Sequence, residues 1–355
     1  MYVEQLELKG FYMRAHSLGP NAASVANCKS LLRKKPTLPK DTRFADHLFT
    51  STFDNVRDRN ETRVIRDLAE LIVPSAEDLC SRGELTVAGL IESVNEGWSH
   101  TEPITAVRPQ PDFSVGFRRV AFTEQQLLKI RPILGDSRTQ VSRFRATWYM
   151  YFPFLSCEVK CGMGALDIAD RQNAHSMGIA VRAVTELFRL GGRGQEVDRK
   201  ILAFSISHDD SSVRIYGYYP VIQLDQITYH RHRISGFDMQ AADGKDRWTA
   251  YKFVKSVYQT WVPSHLERIR SVLDELPEDI TRIDVPPAQH TGLSQQIGDS
   301  HISTSDVDAL EEPENDSPSP VEPIPIHTPE TSLSAIPTIP RQRGSPRRAS
   351  GKRAR

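Results

Sequence analysis

The sequence predicts an α/β fold in which a central mixed β-sheet is flanked by helices. A strongly apolar stretch at residues 148–161 has the character of a buried strand, and residues 200–221 have the pattern of a β-hairpin. Amphipathic helical patterns cover residues 60–74, 122–134 and 165–190. Strands and helices distributed in this way along one chain pack in layers around a hydrophobic core.

The other elements follow from the same periodicities. The patterns predict one or two helices within residues 36–58, a helix at 85–98, two short strands within 102–117, an edge strand at 227–237 and a helical region at 247–276 that bends or breaks at Pro263.

Composition divides the chain into three parts. Residues 1–39 have mixed composition and are predicted to form a weakly structured, peripheral segment, and residues 40–284 are predicted to form the folded domain. Residues 285–355 are rich in proline, serine, threonine and acids before a basic end. Because this last part has too little apolar area to offset the entropy lost on ordering, we expect it to be a disordered tail.

Charge and cysteine content exclude several classes of protein. The formal net charge is zero, which argues against a globally basic surface for nucleic acid but leaves room for local patches. The four cysteines are too few and too scattered for a disulfide scaffold, which indicates a reducing intracellular compartment. Cys157 and Cys161 are interpreted as small apolar residues rather than half of a zinc site. No stretch approaches the roughly 20 apolar residues of a membrane span, and no signal peptide pattern is present, so no membrane partner is expected.

Polar residues at the ends of two predicted strands indicate a site. Glu158 and Lys160 alternate along the end of the apolar strand and therefore point to one side of it. A carboxylate and an ammonium group are costly to bury at the end of so apolar a strand. Upstream, Asp112 opens another short strand directly after Pro111. This combination is the layout of a phosphodiesterase with one or two metal ions.

The helix at residues 60–74 carries a candidate acid in its first turn. Asn60 is a good N-cap, and Glu61 precedes Val64 and Ile65 by three and four residues, so it lies on the same stripe of the helix. Two interpretations stay open. Glu61 is either a functional acid that faces the core or a first-turn acid that complements the helix dipole and has no further role.

The order of these elements resembles the PD-(D/E)XK nuclease superfamily, which has the restriction-endonuclease-like fold. The chain is most similar to a domain of unknown function that is widespread in filamentous fungi and placed in that superfamily. The resemblance spans roughly residues 40–280 and is carried by the stretches 60–64, 108–117, 149–161, 165–177 and 213–220.

The resemblance implies a nuclease that hydrolyses phosphodiester bonds of DNA, or of RNA, with Mg²⁺ or Mn²⁺. It implies that Asp112 and Glu158 bind the metal, together with the Val159 carbonyl, and that Glu61 reaches the metal directly or through water. Lys160 would orient the attacking water, and Gln172 would orient the lysine or the scissile phosphate. Carboxylates suit this task because Mg²⁺ prefers oxygen ligands and keeps several waters.

An inactive protein of the same fold is the alternative. A whole helix and a polar loop separate Asp112 from Glu158, which is longer than the usual hairpin of this superfamily. In a vestigial site, Glu158 and Lys160 would survive as a half-buried ion pair, and the protein would act as a module that binds nucleic acid or a protein partner.

Basic residues elsewhere in the chain are candidates for contact with nucleic acid. Arg118, Arg119 and Arg171 could contact phosphates, although scattered arginines on a neutral protein also form ordinary solvated surface. DNA is favoured over RNA as the partner. The basic segment 341–355 predicts either recognition by a nuclear import carrier or a nucleic-acid arm, and both interpretations predict a nuclear protein.

Overall fold

A seven-stranded mixed sheet forms the centre of the structure, as the sequence predicts. The computed structural model describes residues 2–134, 141–161, 166–223 and 226–277; the predicted tail, 285–355, lies outside these ranges. Strand order across the sheet is β1-β7-β6-β5-β4-β3-β2. The strands are β1 (Phe11–Tyr12), β2 (Leu90–Val94), β3 (Phe113–Phe117), β4 (Tyr151–Val159), β5 (Ala203–His208), β6 (Ser212–Gln223) and β7 (Gln226–Asp238). β4 and β5 are parallel, as are β1 and β7, and the other neighbours are antiparallel.

Helices precede, connect and follow the strands. They are α1 (Tyr2–Leu8), α2 (Ala22–Arg33), α3 (Asp46–Val56), α4 (Glu61–Ile72), α5 (Ala76–Ser81), α6 (Glu124–Leu134), α7 (Leu166–Leu190), α8 (Ala241–Gly244), α9 (Thr249–Ser256) and α10 (Val262–Glu275). Asn60 caps α4 as predicted, because its Oδ1 accepts a hydrogen bond from the Arg63 N–H over 3.0 Å. A π-helical turn, Val257–Trp261, joins α9 to α10.

Different helices cover the two faces of β4 and β5. On one face, Ser156 of β4 and Ser207 of β5 hydrogen-bond to Asn173 of α7. On the other face, Phe204 of β5 packs edge-on against Trp261 of the π-helical turn. Every residue of β4 is buried. A strand covered on both faces needs apolar side chains on both, which explains the nearly continuous apolar sequence of β4.

The N-terminal segment belongs to the fold, although the sequence predicts only weak structure there. β1 pairs in parallel with β7, with Phe11 opposite Tyr229 and Tyr12 opposite His230. Leu6 and Leu31 are fully buried in the core. β1 therefore covers part of β7, which the sequence predicts as an edge strand.

Residues 85–98 correct another expectation. The structure has a short 3-10 turn, Leu85–Val87, followed by β2, where the sequence predicts a helix. Leu90 and Val94 have helical spacing, but pairing of β2 with β3 overrides this weak local preference. Within 102–117, β3 is present and a second strand is not. The final helical region breaks at the π-helical turn, immediately before Pro263 in the first turn of α10.

No helix within the described ranges is both long enough and apolar enough to span a membrane.

Candidate functional site

Asp112 and Glu158 face each other across two neighbouring strands. β3 and β4 are antiparallel with Phe113 opposite Cys157, so continuing this register by one residue puts Asp112 opposite Glu158. Opposed residues of an antiparallel pair have side chains on the same face, with Cβ atoms about 4.5–5.5 Å apart. The Val159 N–H donates a hydrogen bond to Asp112 Oδ2 over 2.7 Å, which holds the Asp112 carboxylate against the end of β4.

Both carboxylates are buried. Asp112 is 8% exposed and Glu158 is 2% exposed. Burial raises the pKa of Glu158 well above its ordinary range, and the Asp112 charge raises it further. Burial also raises the pKa of Asp112, against the lowering effects of the Val159 N–H and the Lys160 ammonium group. No residue in the described ranges donates a hydrogen bond to the Glu158 carboxylate, so its oxygens are available to a cation.

Lys160 follows β4 directly and connects Glu61 to the same end of the sheet. Its Nζ lies 3.0 Å from Glu61 Oε1 and 2.8 Å from the Val159 carbonyl oxygen. The Lys160 side chain is 17% exposed and that of Glu61 is 40% exposed. Glu61 is the first residue of α4. It is therefore a first-turn acid that also contacts the predicted site.

Gln172 lies on the flank of α7 that is nearest to the two acids. Asp170 of α7 accepts a hydrogen bond from Tyr216 of β6, while Asn173 contacts Ser156 of β4. Since each helical residue turns by about 100°, Gln172 lies beyond Asn173 on the side away from Asp170, toward β4 and β3. Its Oε1 is buried and has no hydrogen-bond partner among the described residues.

The acids form a pair rather than a three-acid cage. Among the residues that the structure describes, no group of three or more His, Cys, Asp or Glu side chains is arranged to hold a metal ion. Glu61, which the resemblance implies reaches the metal directly or through water, is ion-paired with Lys160. The site thus offers two opposed carboxylates with a lysine beside them.

Two of the predicted nucleic-acid contacts lie away from the acids. Arg118 and Arg119 follow the opposite end of β3, roughly 20 Å along the strand at about 3.4 Å per residue. Arg118 is ion-paired with Glu77, and Arg119 with Glu124. Arg171 is next to Gln172 on α7, and within the described part of the chain it makes no hydrogen bond or ion pair.

A tyrosine–histidine pair next to Glu158 is not evident from the sequence. The Tyr2 hydroxyl lies 2.8 Å from His175 Nδ1. Burial, and then the Glu158 charge, raise the pKa of Tyr2 to about 12. Burial lowers the pKa of His175 to about 4, so its ring is neutral at pH 7. The position of His175 three residues after Gln172, on the same flank of α7, is the signal in the sequence that could have indicated it.

Comparison with known proteins gives one match. Residues 48–273 match a family model that is described as a domain of unknown function (DUF7924). This match covers more than half of the chain and includes Glu61, Asp112, Glu158, Lys160 and Gln172. No curated protein and no solved structure matches the chain.

Proposed function

The chain belongs to this DUF7924 family, and we propose that it is a metal-dependent nuclease of the PD-(D/E)XK type that hydrolyses phosphodiester bonds of DNA or RNA. The observation that carries the proposal is the pair of buried carboxylates, Asp112 and Glu158, opposed on adjacent strands with Lys160 beside them. A protein gains little stability from two buried acids that repel each other, so the pair needs a cation or a function.

A divalent cation fits this pair. Mg²⁺ is commonly bound by one or two carboxylates together with waters and substrate phosphates, so a site with two acids is sufficient. The Glu158 carboxylate accepts no hydrogen bond from the described residues, and Asp112 uses Oδ2 for the Val159 N–H. Oxygens of both acids are therefore available to the ion. When bound there, Mg²⁺ would offset the negative charge that develops on the phosphate oxygens.

Lys160 has one hydrogen-bond donor left for the reaction. An ammonium group has three N–H donors, and two of those on Lys160 are directed at Glu61 and the Val159 carbonyl. The third would hold the attacking water or a phosphate oxygen. Glu61 acts through Lys160 as a positioning residue, because it holds the ammonium group at the end of β4. The free Oε1 of Gln172 would accept a hydrogen bond from the attacking water.

A cleavage assay tests the proposal. Supercoiled plasmid, single-stranded DNA and RNA are incubated with the protein and Mg²⁺ or Mn²⁺, and Lys160→Ala and Asp112→Asn are compared with the wild type. We expect cutting by the wild type, loss of cutting in both variants and no cutting in EDTA. Equal cutting by the wild type and both variants would reject the assignment of the reaction to these residues.

Binding without cleavage is the other outcome of this experiment. If the wild type cuts none of these substrates and calorimetry detects no Mg²⁺ or Mn²⁺ binding, the site is vestigial. The ion pair between Lys160 and Glu61 would then be a structural contact, and the domain would be a binding module.

A further inference from the structure

A row of polar residues continues from the two acids across the face of the sheet that α7 covers. Glu158 is opposite Ser207 on β5, and Ser207 is opposite Arg214 on β6. Since neighbouring strands are about 4.8 Å apart, the Arg214 backbone lies roughly 10 Å from that of Glu158. Arg214 hydrogen-bonds to Asp170 of α7, so its side chain is on the α7 face.

A second arginine lies at the far end of this row. Arg214 is opposite Gly236 on β7. The guanidinium group of Arg233 fills the space that a Cβ atom at Gly236 would occupy. Arg233 is exposed, and it makes no ion pair or hydrogen bond with any residue in the described ranges. The row therefore begins with two carboxylates and ends with two guanidinium groups.

Arg214 can exchange its exposed partner, Asp167, at little cost. Its Nη1 lies 2.8 Å from Asp167 Oδ1 and 3.0 Å from Asp170 Oδ2. Asp170 also accepts a hydrogen bond from the Tyr216 hydroxyl and lies 3.7 Å from Arg231 Nη1, so it keeps two partners without Arg214. The Asp167 side chain is 73% exposed. An ion pair to so exposed an acid is weak, because water solvates both charges when they separate.

We propose that Arg214 and Arg233 bind a backbone phosphate of a polynucleotide whose adjacent phosphodiester bond lies at the Asp112–Glu158 pair. In the free protein, Asp167 is ion-paired with the Arg214 guanidinium group and therefore competes with this phosphate. Guanidinium groups bind phosphate oxygens through paired N–H donors. A separation of roughly 10 Å between the acids and Arg214 requires a ligand with more than one phosphate group, which favours a polynucleotide over free phosphate. This inference rests on the proposed function.

The test measures binding separately from cleavage. Fluorescence anisotropy follows a labelled DNA duplex, a DNA single strand and an RNA strand, with Ca²⁺ replacing Mg²⁺, over a series of salt concentrations. Each phosphate contact contributes about 0.9 to the slope of log affinity against log salt for a duplex. We expect Arg214→Gln and Arg233→Gln each to reduce the magnitude of this slope by about 0.9, the contribution of one phosphate contact.

Arg14→Gln is the matched control. Arg14 is exposed like Arg233 and ion-paired like Arg214, in its case with Glu7, and it lies over the Tyr12 ring of β1. Tyr12 is opposite His230, toward the other end of β7 from Gly236. Its substitution should leave the slope unchanged. Thermal unfolding checks that Arg214→Gln is folded, and Arg233→Gln removes no hydrogen bond or ion pair with the described residues and so keeps the test valid if Arg214→Gln does not fold.

Asp167→Asn tests the competition, and its expected effect on DNA affinity is opposite to that of the two arginine substitutions. It should tighten binding of the labelled duplex, and the gain should vanish when Arg214→Gln is also present, because the effect acts through Arg214. Asp78→Asn removes an acid that is equally part of an exposed ion pair, with Arg82, and controls for the change in net charge. An equal gain in Asp78→Asn would overturn the competition.

Cleavage and binding can fail independently. If both arginine variants keep the wild-type slope while the wild type cuts DNA, the phosphate site is wrong and the nuclease proposal stands. If the wild type neither cuts nor binds metal but both variants lower the slope, the nuclease proposal is wrong and the phosphate site stands. Displacement of the labelled duplex by inorganic phosphate at an equal phosphate concentration would overturn the assignment to a polynucleotide.

Discussion

Ser156 Oγ lies 2.5 Å from Asn173 Oδ1, and this contact ties α7 to β4 two residues before Glu158. The Asn173 amide also donates hydrogen bonds to the Ile206 carbonyl over 2.8 Å and to Ser207 Oγ over 3.0 Å. The fully buried side chain of Asn173 thus joins α7 to β4 and β5 near the end of β4 that carries Glu158.

Asn173→Ala should destabilise the fold by about 3 kcal/mol, because it leaves buried polar groups of Ser156 and Ser207 without a partner. Urea unfolding followed by circular dichroism measures the change. Asn27→Ala, at an exposed position of α2, should change stability by less than about 0.5 kcal/mol. Equal effects of the two substitutions would show that the Asn173 contacts do not stabilise the domain.

Mg²⁺ should stabilise the wild type and not Glu158→Gln, because the amide removes a charged ligand. At a concentration of 100 times the dissociation constant, binding adds about 2.7 kcal/mol to the free energy of unfolding, which thermal unfolding detects. Glu70→Gln, at an exposed position of α4, should keep the full effect. The metal assignment is wrong if Mg²⁺ stabilises Glu158→Gln as much as the wild type.

Lys160→Met should lower the rate of cleavage by at least about 100-fold, as loss of one transition-state donor does elsewhere, without weakening Mg²⁺ binding. Single-turnover cleavage and calorimetry measure the two effects. Lys9→Met, at an exposed position after α1, should behave as the wild type. A Lys160→Met variant that cuts at the wild-type rate would exclude Lys160 from the reaction.

Asp67 lies in the helix that carries Glu61 and makes the stability of the fold depend on pH. Hydrogen bonds from Arg66, and then from Arg63, lower the pKa of Asp67 from 3.8 to about 2. A lowered folded-state pKa stabilises the fold above pH 3.8, and this contribution is lost as the pH falls toward 2. Asp67→Asn should therefore cost about 1–2 kcal/mol at neutral pH, less than the full shift because the arginines are partly solvated, and almost nothing near pH 2. Urea unfolding of both proteins across this range tests it, and a pH-independent difference would contradict it.

We propose that residues 341–355, which lie outside the described ranges, direct nuclear import. A fluorescent fusion lacking these residues should lose nuclear accumulation. Replacing their basic residues with glutamine at constant length separates charge from length. An equally nuclear truncated protein would reject the import signal.

The sequence predicts the centre of the fold because strong local patterns mark it. β4 is long and uniformly apolar, and α7 has a sustained amphipathic period. β1 has two residues, too few for any period to be evident. In β2, helical spacing of the apolar residues conflicts with pairing to β3, and the pairing prevails.

The sequence indicates the site through the ends of strands and through the resemblance, whereas it does not indicate contacts between distant elements. Asp112 and Glu158 are predicted from their positions at the ends of two strands and from the resemblance, and the register of β3 and β4 places them opposite each other. The contact between Tyr2 and His175 joins residues 173 positions apart, and the pairing of Arg214 with Asp167 depends on how α7 lies over β6. Such contacts depend on tertiary packing, which local periodicity does not encode.

The short length of β1 has a consequence for solubility. It pairs with β7 only at Tyr229 and His230 of that strand, so no strand among the described residues pairs with the rest of the outer edge of β7. Unpaired edges can add strands from other molecules and so begin aggregation. Arg231 and Arg233 follow on this edge, and positive charges brought together by edge-to-edge stacking would repel one another. Arg233, which we connect with phosphate binding, would therefore also oppose self-association.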